Sequence, residues 1–298
     1  MIQQSTRPPK VRRSYFECPI MAEKKWAKVP EIDADVFMLD MEDSTPPALK
    51  VEARRRIVKL VKDPGYLGGR EFVVRPNNLS TEWGREDLEA IADAKAPFVI
   101  YPKVRSPDEM REVKRIFDER GSTPEIMLII ETPQAVLQLE AIASCPGVTA
   151  LLVGPGDLSM ETGISLFNGA DEFTDGFIYT RSKVLLVAKA YGLQPADAVF
   201  TADLKDLVRM RQAMERSRRM GFTGLMSFYP PHVPLINEIM SPSKDEVDWA
   251  QRAVATYKKG REDGLAAISL DGKFLTIHQF TTAQETLRVA DLIKQRSL

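Results

Sequence analysis

Two acidic residues stand at the ends of separate apolar runs in the middle of the chain. Glu131 follows IMLII, and Asp157 follows LLV and a Gly-Pro-Gly turn. Mg²⁺ and Mn²⁺ prefer oxygen ligands, and Mg²⁺ usually binds one or two carboxylates and completes its octahedron with water and substrate oxygens. We therefore predict that both acids bind one Mg²⁺, or alternatively Mn²⁺. The competing interpretation is a pair of acids stabilised by helix dipoles, with Asp157 as a helix cap.

Other residues able to do chemistry also follow apolar, strand-like runs. An arginine at such a position can bind a carboxylate or an enolate oxygen through two parallel hydrogen bonds, or it can form a structural salt bridge to Asp40 or Glu42. The backbone N–H groups of a Gly-Pro-Gly turn suit a small carboxylate. The residues concerned are Glu42, Asp43, Arg75, Lys103, Gly154, Pro155, Gly156 and Tyr229.

Strand-like and helix-like segments alternate along the chain. Several apolar runs are unbroken, which is typical of parallel strands covered on both faces. We predict an α/β fold, a (β/α)8 TIM barrel over residues 1–240, with an open doubly wound sheet as the alternative. The carboxyl ends of barrel strands share one rim, so the candidate residues would meet there. Strands are expected at 14–19, 35–40, 71–75, 97–103, 125–131, 149–154, 197–201 and 224–229, with Ser106 and Thr201 as helix caps.

Residues 241–298 are expected to form a C-terminal helical extension for oligomerisation and as a lid, beginning near Pro242. A long helix, a short hairpin-like segment and a last helix are predicted. The apolar residues in AAISLDGKFLTI have no obvious place in a closed barrel, so they should be buried against a neighbouring subunit. A homo-oligomer is therefore expected, and the alternative is a segment that folds back over its own barrel.

The composition excludes several classes of protein. The net charge is −1 among 298 residues, which does not favour a nucleic-acid-binding protein. No apolar run is long enough for a membrane span, and the polar start of the chain is not expected to be a secretion signal. Cys18 and Cys145 lie far apart, which favours a reducing, cytoplasmic setting. Two histidines are too few for a multi-histidine metal site, and glycine-rich dinucleotide or P-loop motifs are missing.

Taken together, these segments resemble the citrate lyase β-subunit-like family, which includes malyl-coenzyme A and citramalyl-coenzyme A lyases. The similar segments come in family order and span roughly residues 12–290. They are RRSYFECP, DADVFMLDMEDSTPPALKVEAR, VVRPNN, YPKV, IIETPQAV, LLVGPGDLSMETG, GFTGLMSFYPPHVPLIN, SPSKDEVDWAQRAV and GLAAISLDGKFL.

The resemblance implies a Mg²⁺-dependent barrel that makes or breaks a carbon–carbon bond beside a carbonyl, assembled as a trimer or hexamer. It implies Glu131 and Asp157 as metal ligands and Arg75 as the residue that stabilises the enolate. It also implies that Glu42 and Asp43 position water or substrate and that Asp271 reaches a neighbour's site. Substrate would be bound by Lys103, Tyr229 and Gly154–Gly156. Coenzyme A would be bound by Arg13, Lys24 and Lys25. Tyr229 stands where family members usually have histidine.

Several functions remain open at this point. The leading one is cleavage of a 3-hydroxyacyl-coenzyme A, such as malyl- or citramalyl-coenzyme A, to release a 2-oxo acid. A pyruvate aldolase acting on free aldehydes and a malyl-coenzyme A thioesterase would use the same site. A lyase subunit that depends on an acyl carrier and has no activity of its own is the non-enzymatic alternative, favoured only by Tyr229.

Overall fold

Eight parallel strands close into a barrel, so the predicted (β/α)8 TIM barrel is confirmed and the open sheet is wrong. The computed structural model describes residues 10–170 and 172–296. The chain divides into two compact units, Arg12–Asn237 and a second one that begins at Glu238. The barrel strands are β1 Ser14–Cys18, β2 Val36–Asp40, β3 Glu71–Arg75, β4 Phe98–Tyr101, β5 Glu125–Ile130, β6 Val148–Val153, β7 Gln194–Ala198 and β8 Gly224–Ser227.

Helices connect the strands on the outside of the barrel. They are α1 Glu23–Trp26, α2 Lys50–Lys62, α3 Gly84–Asp93, α4 Pro107–Glu119, α5 Pro133–Leu137, α6 Leu139–Ala143, α7 Pro155–Thr162, α8 Ile178–Tyr191, α9 Leu207–Met220 and α10 His232–Ile239, with 3₁₀ turns at Val29–Glu31, Pro47–Leu49 and Pro64–Leu67. Ser106 caps α4 as predicted, because its hydroxyl accepts the N–H of Glu109 at 3.2 Å. No helix in residues 10–170 and 172–296 combines the length and apolar character that crossing a membrane requires.

The seventh strand begins three residues earlier than the sequence predicts. It starts at Gln194 rather than at 197, and its Asp197 is fully buried. The guanidinium of Arg181 in α8 donates to that carboxylate at 2.6 Å, which compensates the buried charge. Thr201 does not cap the next helix; the carboxylate of Asp206 does, by accepting the N–H of Arg209 at 3.0 Å. The residues Gln194 to Ala196 do not form an apolar run, so a search for such runs misses the start of this strand.

Alternate residues of each strand face the barrel interior, as the two-residue period of a strand requires. The interior apolar cluster includes Tyr15, Met38, Val73, Met127 and Ile129. Two residues further along the same strands, at or just beyond their carboxyl ends, the chain places Glu17, Asp40, Arg75 and Glu131. The fold therefore stacks a layer of charged side chains directly above an apolar core.

The amino-terminal end of the barrel is closed by Arg12, whose side chain is only 4% exposed. Its guanidinium donates to Glu71 at 2.8 and 2.7 Å and to Glu125 at 2.7 Å, and it lies 4.1 Å from the centre of the Phe98 ring. The charges of Arg12, of Glu71 in β3 and of Glu125 in β5 are thereby satisfied together below the core. Breaking such a buried pair from one side leaves an uncompensated charge.

The second unit contains the helix, hairpin and last helix that the sequence predicts: α11 Lys244–Glu262, β9 Ser269–Leu270, β10 Lys273–Phe274 and α12 Ile277–Arg296. The apolar segments around the hairpin were expected to need a neighbouring subunit. That expectation is wrong for Ile268 and Leu275, which are buried in a cluster with Ala250, Ala253 and Ala283 of the same unit. Phe274 remains 74% exposed and Ile277 54% exposed.

Replacing Arg12 with alanine should lower the free energy of unfolding by about 3–5 kcal/mol, because Glu71 and Glu125 lose their buried partner. Urea unfolding followed by circular dichroism measures this. The matched control is Arg55→Ala, which removes an exposed arginine paired with Glu52 and should change stability by less than about 0.5 kcal/mol. A loss below about 1 kcal/mol for Arg12→Ala, the range of a surface pair, would contradict a closing role for this residue.

Candidate active site

Arg75 and Asp40 form a bidentate ion pair at the carboxyl-terminal end of the barrel. Adjacent strands in register bring the two residues side by side. The Nε and Nη2 groups of Arg75 donate to the two oxygens of Asp40 at 2.6 and 2.8 Å. Its Nη2 also lies 3.2 Å from Glu17, and its Nη1 lies 3.5 Å from Glu42. The structural salt bridge considered for Arg75 therefore exists, and Nη1 is the group left pointing at the site.

Asp40 also shapes the loop that follows β2. Its carboxylate accepts the N–H groups of Glu42 and Ser44, both at 2.8 Å. From the other side, the buried ammonium of Lys50 donates to the carbonyls of Met41 at 2.8 Å and Glu42 at 2.7 Å. These bonds hold the loop in one conformation, and that conformation presents Glu42 and Asp43 on the rim.

Glu131 follows β5 and is 4% exposed. One of its oxygens accepts the backbone N–H of Lys103 at 2.7 Å, and its other oxygen accepts no hydrogen bond from a described residue. Gly154 packs directly against it: a Cβ atom at Gly154 would lie 2.7 Å from that second oxygen, Oε2, and 2.7 Å from Ile129. Glycine is required at this position because any side chain would push the carboxylate away.

Asp157 lies in the first turn of α7, where the helix begins at Pro155 after Gly154. It is not the cap of this helix, since the N-cap residue is Gly154. An acid in the first turn is stabilised by the helix dipole, so that part of the alternative interpretation stands. The same turn carries the backbone N–H groups of Gly156 and Asp157, which have no partner within a helix because they belong to its first turn.

Lys103 connects the separate acids. Its ammonium bonds to Glu42, lies 3.0 Å from Asp43 and lies 3.5 Å from Asp157. Its backbone has a φ of 51°, which is uncommon for a residue other than glycine. This conformation directs its N–H toward Glu131 while the side chain reaches the other three acids.

Among the described residues of this rim, carboxyl groups outnumber cationic groups. The pKa values of several of these carboxyl groups are therefore shifted. Burial, together with the charges of Asp157 and Glu42, raises the pKa of Glu131 well above its usual range. Burial raises the pKa of Glu42 to about 7, despite the opposing charges of Arg75 and Lys103. Burial would also raise the pKa of Asp40, but the charge and hydrogen bonds of Arg75 lower it overall.

Two residues at the rim escaped the selection of site residues from the sequence. Glu17 lies inside the apolar run SYFEC, and burial raises its pKa although Arg75 opposes this. Asp40 ends the second strand that the sequence predicts, but it is not among the candidate site residues. Strand alternation is the signal that could have found them, since Glu17 follows the interior residue Tyr15 by two positions, as Asp40 follows Met38.

The sequence also predicts functional roles for Arg13, Lys24, Lys25 and Asp271. Arg13 precedes β1 at the opposite end of the barrel, where its guanidinium pairs with Asp35 at 2.9 Å. Lys24 and Lys25 are exposed on α1, after β1 and therefore at the same end as the acids. Asp271 belongs to the second unit, where it lies in the β9–β10 turn and pairs with Arg252 at 2.7 Å.

Tyr229 follows β8 and contacts His232 rather than the acids. Its ring meets the histidine ring edge-on at 4.9 Å, and its N–H donates to Ser227 at 3.1 Å. The Nε2 of His232 lies 2.9 Å from the carbonyl of Leu204, so it carries the proton, and its Nδ1 accepts from Ser227 at 3.0 Å. With both ring nitrogens occupied, the buried His232 does not take the place of the histidine that the resemblance implies at position 229.

A cavity of about 170 Å³ lies beside α8 and α9, apart from the acids. Three arginines line it, and each is paired with an acid: Arg181 with Asp197, Arg209 with Asp206 and Arg216 with Asp175. Each arginine of this cavity therefore already has an acidic partner.

Comparison with known proteins agrees with the fold. The HpcH/HpaI aldolase/citrate lyase family matches residues 18–230. The chain belongs to this family. The resemblance to the citrate lyase β-subunit-like proteins is thereby confirmed.

Two relatives and one solved structure of this aldolase/citrate lyase family illustrate the likeness. The chain is 31% identical over 283 residues to a (3S)-malyl-CoA thioesterase of Cereibacter sphaeroides, covering 94% of this chain and 95% of that protein. It is 30% identical over 303 residues to the mitochondrial citramalyl-CoA lyase of Homo sapiens, covering 96% and 87%. Protein CitE from Mycobacterium tuberculosis, in complex with magnesium, acetoacetate and coenzyme A, superposes with a TM-score of 0.75 at 25% identity, covering 93% and 97%.

The rim has the chemistry of a site for one hard divalent cation. Among the described residues no group of three or more Asp, Glu, His or Cys side chains is arranged to hold a metal. Mg²⁺ does not require such a group, because water and substrate oxygens complete its shell around one or two carboxylates. Glu131 and Asp157 are the two carboxylates that would bind such a cation. Gly154 leaves room for the first, and the ammonium of Lys103 already lies 3.5 Å from the second.

Replacing Gly154 with alanine should weaken the binding of Mg²⁺ by roughly 10–100-fold, the scale for losing a group that orients a metal ligand. The new methyl group would occupy the position that the Glu131 carboxylate needs. Isothermal titration with Mn²⁺ and Mg²⁺ measures the change, with circular dichroism to show that the variant is folded. The control is Gly156→Ala, where a Cβ atom would meet nothing within 4 Å. Equal affinities for the two variants would refute the orienting role of Gly154.

Proposed function

We propose that the protein is a Mg²⁺-dependent carbon–carbon lyase that cleaves a 3-hydroxyacyl-coenzyme A, such as malyl- or citramalyl-coenzyme A, and releases a 2-oxo acid. The observation that carries the proposal is the gathering of Arg75, Glu131 and Asp157 at one barrel rim in a chain of this family. The relatives named citramalyl-CoA lyase and L-malyl-CoA/beta-methylmalyl-CoA lyase support the reaction. The CitE complex with magnesium and coenzyme A supports the cofactor and the thioester.

The reaction breaks the bond between C2 and C3 of the acyl chain. The hydroxyl proton leaves, the C3 hydroxyl becomes the carbonyl of the 2-oxo acid, and the electron pair of the broken bond passes to the thioester as an enolate. A proton added at C2 then gives the shorter acyl-coenzyme A. Bound Mg²⁺, held by Glu131 and Asp157, would stabilise negative charge on the oxygens of the 2-oxo acid half.

Arg75 is the residue best suited to stabilise the enolate oxygen. The bidentate bond to Asp40 fixes the guanidinium plane before substrate binds, so little reorganisation is needed when charge develops. Its Nη1 group, directed toward Glu42, is available for a substrate oxygen. Burial strengthens this interaction, because the surrounding dielectric is low.

Glu42 is suited to hold or accept a proton. A carboxyl group with a pKa of about 7 populates both protonation states near neutral pH, which is what a general acid or base requires. With Asp43 and Lys103 beside it, it can position the hydroxyl group of the substrate or a water molecule. Lys103 and the first turn of α7, Gly154–Gly156, would bind the carboxylate of the 2-oxo acid half.

The coenzyme A moiety would approach from the loop after β1. Lys24 and Lys25 are exposed there, at the end of the barrel that carries the acids, and ammonium groups bind phosphates as point charges. Arg13 was also predicted to bind coenzyme A. That role stays a prediction, and its position at the opposite end of the barrel, paired with Asp35, speaks against it.

Asp271 would complete the site of a neighbouring subunit in a homo-oligomer, most simply a trimer in the cytoplasm. In this chain its carboxylate is exposed, in a tight Asp-Gly turn with a φ of 52°, and pairs with the exposed Arg252. A weak surface pair leaves the carboxylate free to exchange partners. Exposed apolar residues near the β9–β10 turn also support a homo-oligomer, because a neighbouring subunit would bury them. This argument rests on Phe274 and Ile277, since Ile268 and Leu275 are already buried within the second unit.

Hydrolysis of the thioester is the second candidate, because a relative 31% identical to the chain is named (3S)-malyl-CoA thioesterase. Incubation with (3S)-malyl-coenzyme A and Mg²⁺ separates the two reactions. A lyase forms glyoxylate and acetyl-coenzyme A without free thiol, whereas a thioesterase forms malate and one free thiol. We expect 2-oxo acid without thiol from malyl- or citramalyl-coenzyme A. If the protein released only free thiol, it would be a thioesterase rather than a lyase. If it acted only on pyruvate and free aldehydes, it would be an aldolase.

Replacing Arg75 with lysine should lower kcat by about 10²-fold or more, the cost of losing one preorganised stabiliser of an oxyanion. Lysine keeps the charge beside the buried Asp40, so the variant should fold, but it cannot form the bidentate bond. Steady-state kinetics of 2-oxo acid release measure the effect. The control is Arg85→Lys, which changes an exposed arginine of α3 and should leave kcat unchanged. An unchanged kcat would leave Arg75 with a structural role alone.

Mixing two inactive variants tests the role of Asp271 across subunits. Asp271→Ala and Glu131→Ala would each be inactive, but after joint dissociation and reassembly some sites would receive both intact residues from different chains. Part of the lyase activity should therefore return, while each variant reassembled with itself stays inactive. Co-assembly without any recovered activity would show that Asp271 does not act in a neighbour's site.

A further inference from the structure

One residue, Lys103, contacts both candidate metal ligands through different groups. Its backbone N–H donates to Glu131 at 2.7 Å, and its ammonium lies 3.5 Å from an oxygen of Asp157. The left-handed backbone conformation, with a φ of 51°, makes both contacts available at once. Such a conformation costs free energy, so the surrounding contacts must hold it in place.

The ammonium of Lys103 is shared unequally among three carboxylates. It makes its shortest contact with Glu42, bonds to Asp43 at 3.0 Å and is most distant from Asp157 at 3.5 Å. A lysine side chain has a flexible four-carbon stem and three donors, so it can keep two partners while it loses a third. Asp157 is therefore the partner that it can give up most easily.

A divalent cation bound to Asp157 would compete with this contact. Mg²⁺ lies about 2.1 Å from its oxygen ligands, which would bring a dication close to an ammonium that already approaches the same carboxylate. Like charges at such short range repel strongly even when the surroundings are polar. The two cations cannot both keep their full interaction with Asp157.

We propose that Lys103 is a built-in counter-ion that holds the acidic rim together before the metal arrives and releases Asp157 when Mg²⁺ binds. The proposal rests on the Mg²⁺ site of the proposed function. It makes Lys103 a positioning residue that sets the affinity for the metal: the backbone N–H orients one ligand, and the ammonium must be displaced from the other. The release is a movement of the side chain, which remains charged throughout.

Binding of Mn²⁺ to the metal-free protein tests this displacement without any measurement of activity. Lys103→Met removes the ammonium and keeps the length of the side chain, so Mn²⁺ should bind at least about fivefold more tightly, the lower end of ordinary coupling between two sites. Lys103→Asn is the second variant, because asparagine is neutral and tolerates a positive φ. Both are measured by isothermal titration calorimetry.

The matched control is Arg105→Met, which removes one positive charge two residues away. Arg105 pairs with Glu161 at 2.6 Å and lies outside the acidic cluster. If Lys103 acted only through the general field of the protein, both substitutions would tighten Mn²⁺ binding alike, and the proposal would be overturned. Tightening confined to the Lys103 variants supports a direct competition for Asp157.

Melting temperatures give a second readout. Without metal, Lys103→Met should melt below the unmodified protein, because the acids lose the ammonium that lies among them. A ligand stabilises the folded state more when its affinity or its free concentration is higher, so the gap should close at saturating Mn²⁺. A gap of the same size with and without Mn²⁺ would mean that Lys103 stays bound to Asp157, and it would overturn the proposal. If neither protein bound Mn²⁺, the metal site of the proposed function would be wrong as well; if both bound it with equal affinity, only the role of Lys103 would be wrong.

Discussion

The bidentate ion pair between Arg75 and Asp40 is the interaction on which the barrel mouth depends. It joins two neighbouring strands at their carboxyl ends and leaves the Nη1 group of the guanidinium directed toward Glu42 and the site. The same carboxylate accepts two backbone N–H groups of the next loop, so it fixes where Glu42 and Asp43 stand. Burying both charges is costly, so the pair is weak evidence for net stability, but removing one partner would leave an uncompensated buried charge.

The second constraint is an excess of acidic groups above an apolar core. Carboxylates in a low dielectric repel one another and resist ionisation, which explains the raised pKa values of Glu131 and Glu42. The positive charges of Arg75 and Lys103 offset part of this repulsion. Gly154 allows the backbone to approach Glu131 closely. A divalent cation bound between Glu131 and Asp157 would complete the compensation.

The barrel and most of the rim were predictable because the two-residue period of strands and the convergence of parallel strand ends are general. Glu131, Asp157, Arg75 and Lys103 could be selected in this way. Glu17 was missed because it interrupts an apolar run, and its burial is explained by a long-range partner, Arg75. The bridging position of Lys103 also could not be predicted, because it depends on a left-handed backbone conformation that the sequence PKV does not signal.

The central claim is that Glu131 and Asp157 hold one divalent cation beside Arg75. A crystal structure of the protein soaked with Mn²⁺, read through the anomalous signal of the metal, tests it most directly. The account predicts one peak that lies close to one oxygen of each carboxylate, near the distance of about 2.1 Å typical of Mg²⁺, with the ammonium of Lys103 turned toward Glu42 and Asp43. Carboxylates that share no cation, or a peak bound elsewhere on the protein, would contradict it.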